Sequence, residues 1–131
     1  MTTPQVQGFF DPATFTVSYV VSDPATSAAA IIDPVLEFDP ASGRTSFAAA
    51  DRLIDYVNAQ GLAVEWILET HVHADHLTAA PYIREKTGSP VAIGEHVVDV
   101  QKTFARIFNL PDVAVDGSQF DQLLPADKTF S

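Results

Sequence analysis

Three of the four histidines of this 131-residue chain fall within six positions, in the run His71-Val72-His73-Ala74-Asp75-His76. Imidazole nitrogen and carboxylate oxygen are ligands for zinc, iron and manganese. In extended backbone, residues two apart point the same way, so His71 and His73 can converge on one ion. Asp75 and His76, in the turn that follows, can face a neighbouring position. The bland alternative is a solvated turn in which His76 caps a helix and Asp75 accepts amide protons at its N-terminus. A terminal affinity tag is excluded by the internal position and the interleaved residues. Four donor-type side chains sharing one spacing and one setting favour the metal-binding reading.

The elements around this run would place it at the edge of a sheet. Val64 to Glu69 mixes Val, Trp, Ile and Leu and reads as a buried strand that ends directly before the histidines. Thr78 is suited to cap a helix running to about Thr87, because Pro81 is tolerated only within a first turn, and Gly88 would end it. The carboxyl end of a strand in an α/β layer is where ligands commonly bind. Upstream, Phe15, Val17, Tyr19 and Val21 alternate with Thr14, Thr16 and Ser18, the two-residue period of a half-buried strand over Thr14 to Val21. A turn at residues 22–27 would return it as a second, more deeply buried strand, Ala28 to Ile32, stopped at Asp33-Pro34.

Phe38 to Thr45 is turn-rich and is expected to be an exposed loop. Ser46 would cap a helix whose Ala50, Leu53, Ile54 and Val57 form one apolar stripe, with Gly61 at its C-terminal end. Pro90 to Ile93 reads as a short strand. From Val97 on, Val100, Phe104, Ile107 and Phe108 mark another amphipathic helix that ends near Leu110-Pro111, and loop is expected beyond Asp112. Strand–helix alternation over residues 28–108 argues for an α/β layer with a β-hairpin in front.

Composition narrows the function classes. Seven Lys and Arg against 17 Asp and Glu leave a net charge of −10, which disfavours nucleic acid and anionic membranes as partners. The absence of Cys excludes thiolate metal sites, Cys nucleophiles and disulfide frameworks. The longest apolar run is far too short to span a bilayer, and the first residues lack a secretory pattern, so a soluble cytoplasmic protein is expected.

His-x-His-x-Asp-His after a buried strand resembles the signature of the metallo-β-lactamase superfamily, an αββα sandwich that includes glyoxalase II. The flanking residues Phe10-Asp11-Pro12, Thr16 to Val21, Ile31-Ile32-Asp33-Pro34-Val35 and Glu69 to Thr78 resemble its persulfide dioxygenase branch over about residues 8–110. That branch oxidises glutathione persulfide to sulfite with molecular oxygen and one Fe(II). The resemblance implies that His71 is an iron ligand and that His73 is the second histidine of the first metal site. It matches Asp75 and His76 to the second-site pair, with Asp75 the candidate catalytic residue. It matches Asp33 to an aspartate that supports the metal loops from behind the ligands; a turn carboxylate before Pro34 is the plainer reading of that residue.

The superfamily's third histidine, in a Gly-His turn, and its bridging aspartate have no counterpart here. His96, in Gly94-Glu95-His96-Val97, sits like the start of a helix and is a candidate for the pocket wall. Asp112, Asp116, Asp121 and Asp127 lack the context the family requires. Residues 1–131 therefore resemble the N-terminal half of the sandwich. The expectation is a fragment whose apolar sheet face would be covered by a complementing C-terminal half or by self-association as a homo-oligomer. The implied activity is an iron-dependent persulfide dioxygenase. The alternatives are a glyoxalase II-like thioester hydrolase, with zinc as the alternative metal and Asp75 and His76 ligating directly, and a non-catalytic assembly piece.

Overall fold

A computed structural model describes residues 3–72 and 77–129. His73, Asp75 and His76 lie outside the described residues, so those three site expectations have no structural counterpart below. Twelve elements follow one another: β1 (Gln5–Asp11), β2 (Thr16–Ser22), β3 (Ala28–Ile32), β4 (Val35–Asp39), β5 (Arg44–Ser46), α1 (Ala48–Ala59), β6 (Ala63–Glu69), β7 (Leu77–Thr78), α2 (Ala80–Thr87), β8 (Val91–Gly94), α3 (Val97–Ile107) and β9 (Gln122–Leu124). The main sheet has the order β1-β2-β3-β6-β8-β9. β1, β2 and β3 pair antiparallel, whereas β3, β6, β8 and β9 run parallel. β4, β5 and β7 form a second, small antiparallel sheet. The expected hairpin and α/β layer are both present.

One face of the main sheet carries the core. Val20 lies opposite Ile31, Ile31 opposite Ile67, and Ile67 opposite Val91, a continuous apolar row across four strands. The buried stripe Ala50, Leu53 and Val57 of α1 and Ala80 and Ile83 of α2 close over it. Phe47 stacks on Tyr82 at 4.1 Å between ring centroids, and Tyr82 Oη donates to Asp51 Oδ1 at 2.6 Å, which joins the two helices at their outer edge. Gly61 and Gly88, at φ +64° and +74°, end α1 and α2 in the left-handed region that a side chain would disfavour.

The structure departs from the sequence reading in several places. Ser46 and Thr78, expected to cap α1 and α2, end the strands β5 and β7 instead, and the cap positions are Phe47 and Ala79. β1 is an additional strand, which hydrophobic alternation did not reveal because most of it is exposed at the sheet edge. β2 begins at Thr16, and its helix-covered side is Ser18, Val20 and Ser22 rather than the Phe15–Val17–Tyr19–Val21 stripe. Phe15 stands in the turn at φ +58°. Tyr19 is 39% exposed where Val20 is 1% exposed, because only the Val20 face meets helices. Residues 38–45 are exposed and turn-rich as expected, but only 40–43 are turn, and the residues on either side pair as the hairpin β4–β5. Asp39 makes its turn by accepting from Ala41 N and Ser42 Oγ, and these donors hold its carboxyl below the usual carboxylate range.

The α3 stripe faces outward. Val97 is buried, but Val100, Phe104, Ile107 and Phe108 are exposed, with Phe104 and Phe108 stacked on each other at 5.7 Å. Finally, β9 extends the sheet beyond Asp112. Asp121 anchors it by accepting from Val91 N at 2.8 Å and pairing with Arg84 at 2.6 Å. That carboxylate is thereby committed to the sheet edge.

These placements separate two apolar residues that a periodicity argument would rank alike. Ile67→Ala removes a fully buried side chain and is expected to cost about 2–5 kcal/mol. Phe104→Ala is expected to cost about 1 kcal/mol or less. Denaturant titrations of the two variants check this, and equal losses would contradict the outward placement of α3.

Candidate metal centre

The parallel strands β3, β6 and β8 end along one edge of the main sheet. Asp33 follows β3, Thr70 and His71 follow β6, and His96 follows β8 after two residues. Asp33 has φ +52°, a left-handed conformation that Asp tolerates better than most residues. That kink is locked on both sides. Asp33 N donates to Leu68 O at 2.9 Å, and Asp33 O accepts from Ser18 Oγ at 2.7 Å. With the main chain fixed, the carboxylate reaches across to the neighbouring strand.

There it takes two hydrogen bonds from a single residue. Thr70 N donates to Asp33 Oδ1 at 2.8 Å, and Thr70 Oγ1 donates to Asp33 Oδ2 at 2.6 Å. Thr70 Oγ1 also lies 2.8 Å from His71 Nδ1. The hydroxyl has one proton and spends it on the carboxylate, so toward His71 it can only accept. Nδ1 must therefore carry the ring proton. Nε2 is then the lone-pair nitrogen, the form in which imidazole ligates a metal. His71 thus fits a metal centre by the chemistry of its own hydrogen bond.

Glu69, one residue before Thr70, lies on the inner, helix-covered face and is 6% exposed. Thr78 Oγ1 donates to its Oε1. Burial pushes the Glu69 carboxyl up to about 8. The Thr78 donor opposes that rise, and the charge of Asp33 and a side-chain hydrogen bond with Asp33 add to it. At neutral pH the Glu69 carboxyl is therefore neutral. Asp33, Thr70 and His71 form one hydrogen-bonded chain, and Thr78 and Glu69 form a second pair.

The structure brings Asp33 and His71 together through Thr70. His96 stands apart, at the N-terminal cap position of α3, solvent-exposed and 3.5 Å from Asp99. Sequence reasoning did not single out Thr70 or Glu69 as participants. For Glu69 a signal existed: it occupies the same side of β6 as Ile67, so a carboxyl group falls where the pattern calls for an apolar side chain. A cleft of about 1130 Å³ opens beside Leu77, lined also by Asp11, Phe38, Arg44 and Arg52 among others. Arg52 lies 3.7 Å from Glu37, and both flank this cleft.

The raised Glu69 carboxyl has a pH signature in metal-free protein. An unfolded carboxyl releases its proton near 4.5 and the folded one near 8, so folding takes up a proton between those values. The stabilisation is complete below about pH 4.5 and is lost as the pH rises through 8. E69Q keeps a neutral amide there. Its stability relative to wild type is expected to rise across that window by on the order of a few kcal/mol. Thermal melts of both proteins in chelator from pH 4.5 to 8.5 measure the difference, and a constant gap would contradict the assignment.

Residues 11–127 match the family model described as metallo-beta-lactamase superfamily. The beta-lactamase hydrolase-like protein of Agrobacterium fabrum is 54% identical over 128 residues, covering 98% of this chain and 30% of that protein. Glyoxylase B2 of Dictyostelium discoideum is 42% identical over 129 residues, covering 97% of this chain and 44% of that protein. The mitochondrial persulfide dioxygenase ETHE1 of Bos taurus is 33% identical over 75 residues, covering 57% and 25%. The crystal structure of ETHE1 from Myxococcus xanthus superposes with a TM-score of 0.56 at 35% identity, over 67% of this chain and 34% of that one. The chain thus spans between a quarter and somewhat under half of the length of these relatives. Among the described residues no helix is long and apolar enough to cross a membrane. By its match over nearly the whole sequence, the chain belongs to the metallo-β-lactamase superfamily.

Proposed function

We propose that the chain is the metal-loop portion of an iron-dependent persulfide dioxygenase acting on glutathione persulfide. The observation that carries the reading is the Asp33–Thr70–His71 relay, which fixes His71 as a ligand-form imidazole at the head of the His-x-His-x-Asp-His run. The likeness to ETHE1 in sequence and in fold supports the choice of branch. In this reading His71 and His73 hold Fe(II), with Asp75 and His76 beside them and Asp75 acting at the reacting centre. Asp33 orients His71 through Thr70. His96, exposed at the start of α3 and away from the cleft lining, takes no part in this reading.

Iron, when bound, would supply the redox chemistry that brings persulfide sulfur and oxygen together. The reaction balances with oxygen as electron acceptor, water as source of the third sulfite oxygen, and glutathione returning as the thiol. The protein's own share is positional. The relay holds the His71 ring in one tautomer and one orientation, and the cleft beside Leu77 is large enough to seat a tripeptide thiol. The face of the main sheet bearing Tyr19, Ile32 and Leu68, which lie in register across three strands, is not fully buried. A complementary half of the sandwich, within a longer chain or from a second copy, would cover it and add the missing donors.

A glyoxalase II-like thioester hydrolase is the second reading, favoured by the 42% identity to glyoxylase B2 over nearly the whole chain. There zinc at two positions would share Asp75 and His76. Metal analysis of the purified protein, paired with assays for sulfite from glutathione persulfide and for thiol from a glutathione thioester, separates the two. One iron per active chain with sulfite release is expected. Two zinc ions with thioester cleavage would move the assignment to the hydrolase, and neither metal nor turnover would leave an assembly role.

His71→Ala should abolish iron loading, and stoichiometric iron retained in that variant would refute the ligand assignment. Asp33→Ala, which leaves the ligand in place but unsupported, should weaken metal binding by about 10–100-fold.

A further inference from the structure

Of the seven basic side chains in this acidic chain, Arg44 and Arg52 line the cleft beside Leu77. They come from separate elements and meet one wall. In the β4–β5 hairpin, Arg44 lies opposite Asp39, and Ser46 opposite Glu37. Residues two apart on a strand point to one side, so Arg44, Ser46, Glu37 and Asp39 share a side of the hairpin. Arg52, projecting from α1, brings Nη2 to 3.7 Å from Glu37 Oε1 there.

Neither guanidinium is used up by its surroundings. The Arg52 contact is long, and its side chain is 56% exposed. Arg44 makes no ion pair among the described residues, although it stands in register with Asp39. The Asp39 carboxylate is turned instead toward Ala41 N and Ser42 Oγ. Asp11, also in the lining, is likewise taken up by Thr14 N and Thr14 Oγ1. These two carboxylates serve their own turns, and Arg44 keeps its guanidinium donors for a ligand.

We propose that Arg44 and Arg52 are specificity-determining residues of this cleft, where their guanidinium groups hold the carboxylates of the glutathionyl part of the substrate. This rests on the glutathione substrate named in the function proposed above. A guanidinium fork matches a carboxylate with two parallel N–H bonds and stays charged at any working pH. A lining of both signs suits a ligand that carries an ammonium beside one of its carboxylates, as the glutathionyl group does. A simple anion is served less well, because the overall charge of −10 repels it. Phe38 and Leu77, each 48% exposed, offer apolar surface to the methylenes between the charged ends.

Titration of the full chain, as purified, with S-methylglutathione tests the proposal by NMR shifts, since this ligand keeps the charged groups and cannot turn over. Arg44→Gln and Arg52→Gln are each expected to weaken binding by about 10–100-fold. Arg106→Gln, which removes the same charge from α3 outside that lining, should bind like wild type. The diethyl ester of S-methylglutathione should bind the wild-type protein about as weakly as the acid binds the two variants. With glutathione persulfide, KM should rise in both variants by a similar factor while kcat holds.

Wild-type affinity for S-methylglutathione in either variant would overturn the proposal. So would an equal loss in Arg106→Gln, which would reduce the effect to net charge, or a wild-type protein that does not bind the ligand. Sulfite release with KM unchanged in both variants would overturn it while sustaining the dioxygenase reading. Arginine-dependent binding without sulfite release would do the reverse.

Discussion

The Asp33 carboxylate, held by a left-handed kink at the end of β3 and bonded twice by Thr70 at the end of β6, is the contact on which the site depends. Two adjacent parallel strands end in register, with Ile32 beside Leu68, so the residues that follow each strand meet at the sheet edge. Parallel pairing alone would bring them near. The kink turns the carboxylate sideways, and the threonine converts that negative charge into a fixed orientation of the neighbouring imidazole. Ionised oxygens accepting from a main-chain N–H and a hydroxyl make strong, short bonds, so the arrangement is directional as well as close.

The layers exist to hold that edge still. The row Val20–Ile31–Ile67–Val91 and the stripes of α1 and α2 bury the inner face of the sheet, and Glu69 continues that face to its rim. A carboxyl in such a position is costly when charged, and here it is kept neutral by burial and by the nearby charge of Asp33. The same desolvation that raises Glu69 makes its hydrogen bond with Thr78 worth more than it would be in water. Structural core and candidate centre therefore share one polar seam instead of being separate regions.

Much of this was readable in the residues. Strand β6, the helices with their glycine ends, and the donor run after Glu69 all follow from local pattern. What failed to read out depended on partners distant in sequence. The alternation in β2 identifies two faces but not which one meets helices; that is decided by Ile31 opposite Val20. Phe104 and Phe108 sit at helical spacing, yet nothing in α3 itself says whether a neighbour covers them. β4–β5 hid behind turn residues because Asp39 and Gly43 are strong turn formers inside a short hairpin. Asp33 entered through a family resemblance, whereas Thr70 and Glu69 gain their meaning only once β3 and β6 lie side by side. Identity to relatives places the chain in its superfamily, but the hydrogen bond at His71 gives that membership a chemical content.

The tautomer of His71 is the most direct test. Long-range proton–nitrogen correlation NMR on metal-free, nitrogen-labelled protein, at a pH where the imidazole is neutral, distinguishes the two ring nitrogens. The Asp33–Thr70–His71 chain predicts the Nδ1–H form, the less common tautomer of free histidine, and its loss in Thr70→Val. An Nε2–H ring in the wild-type protein would contradict it.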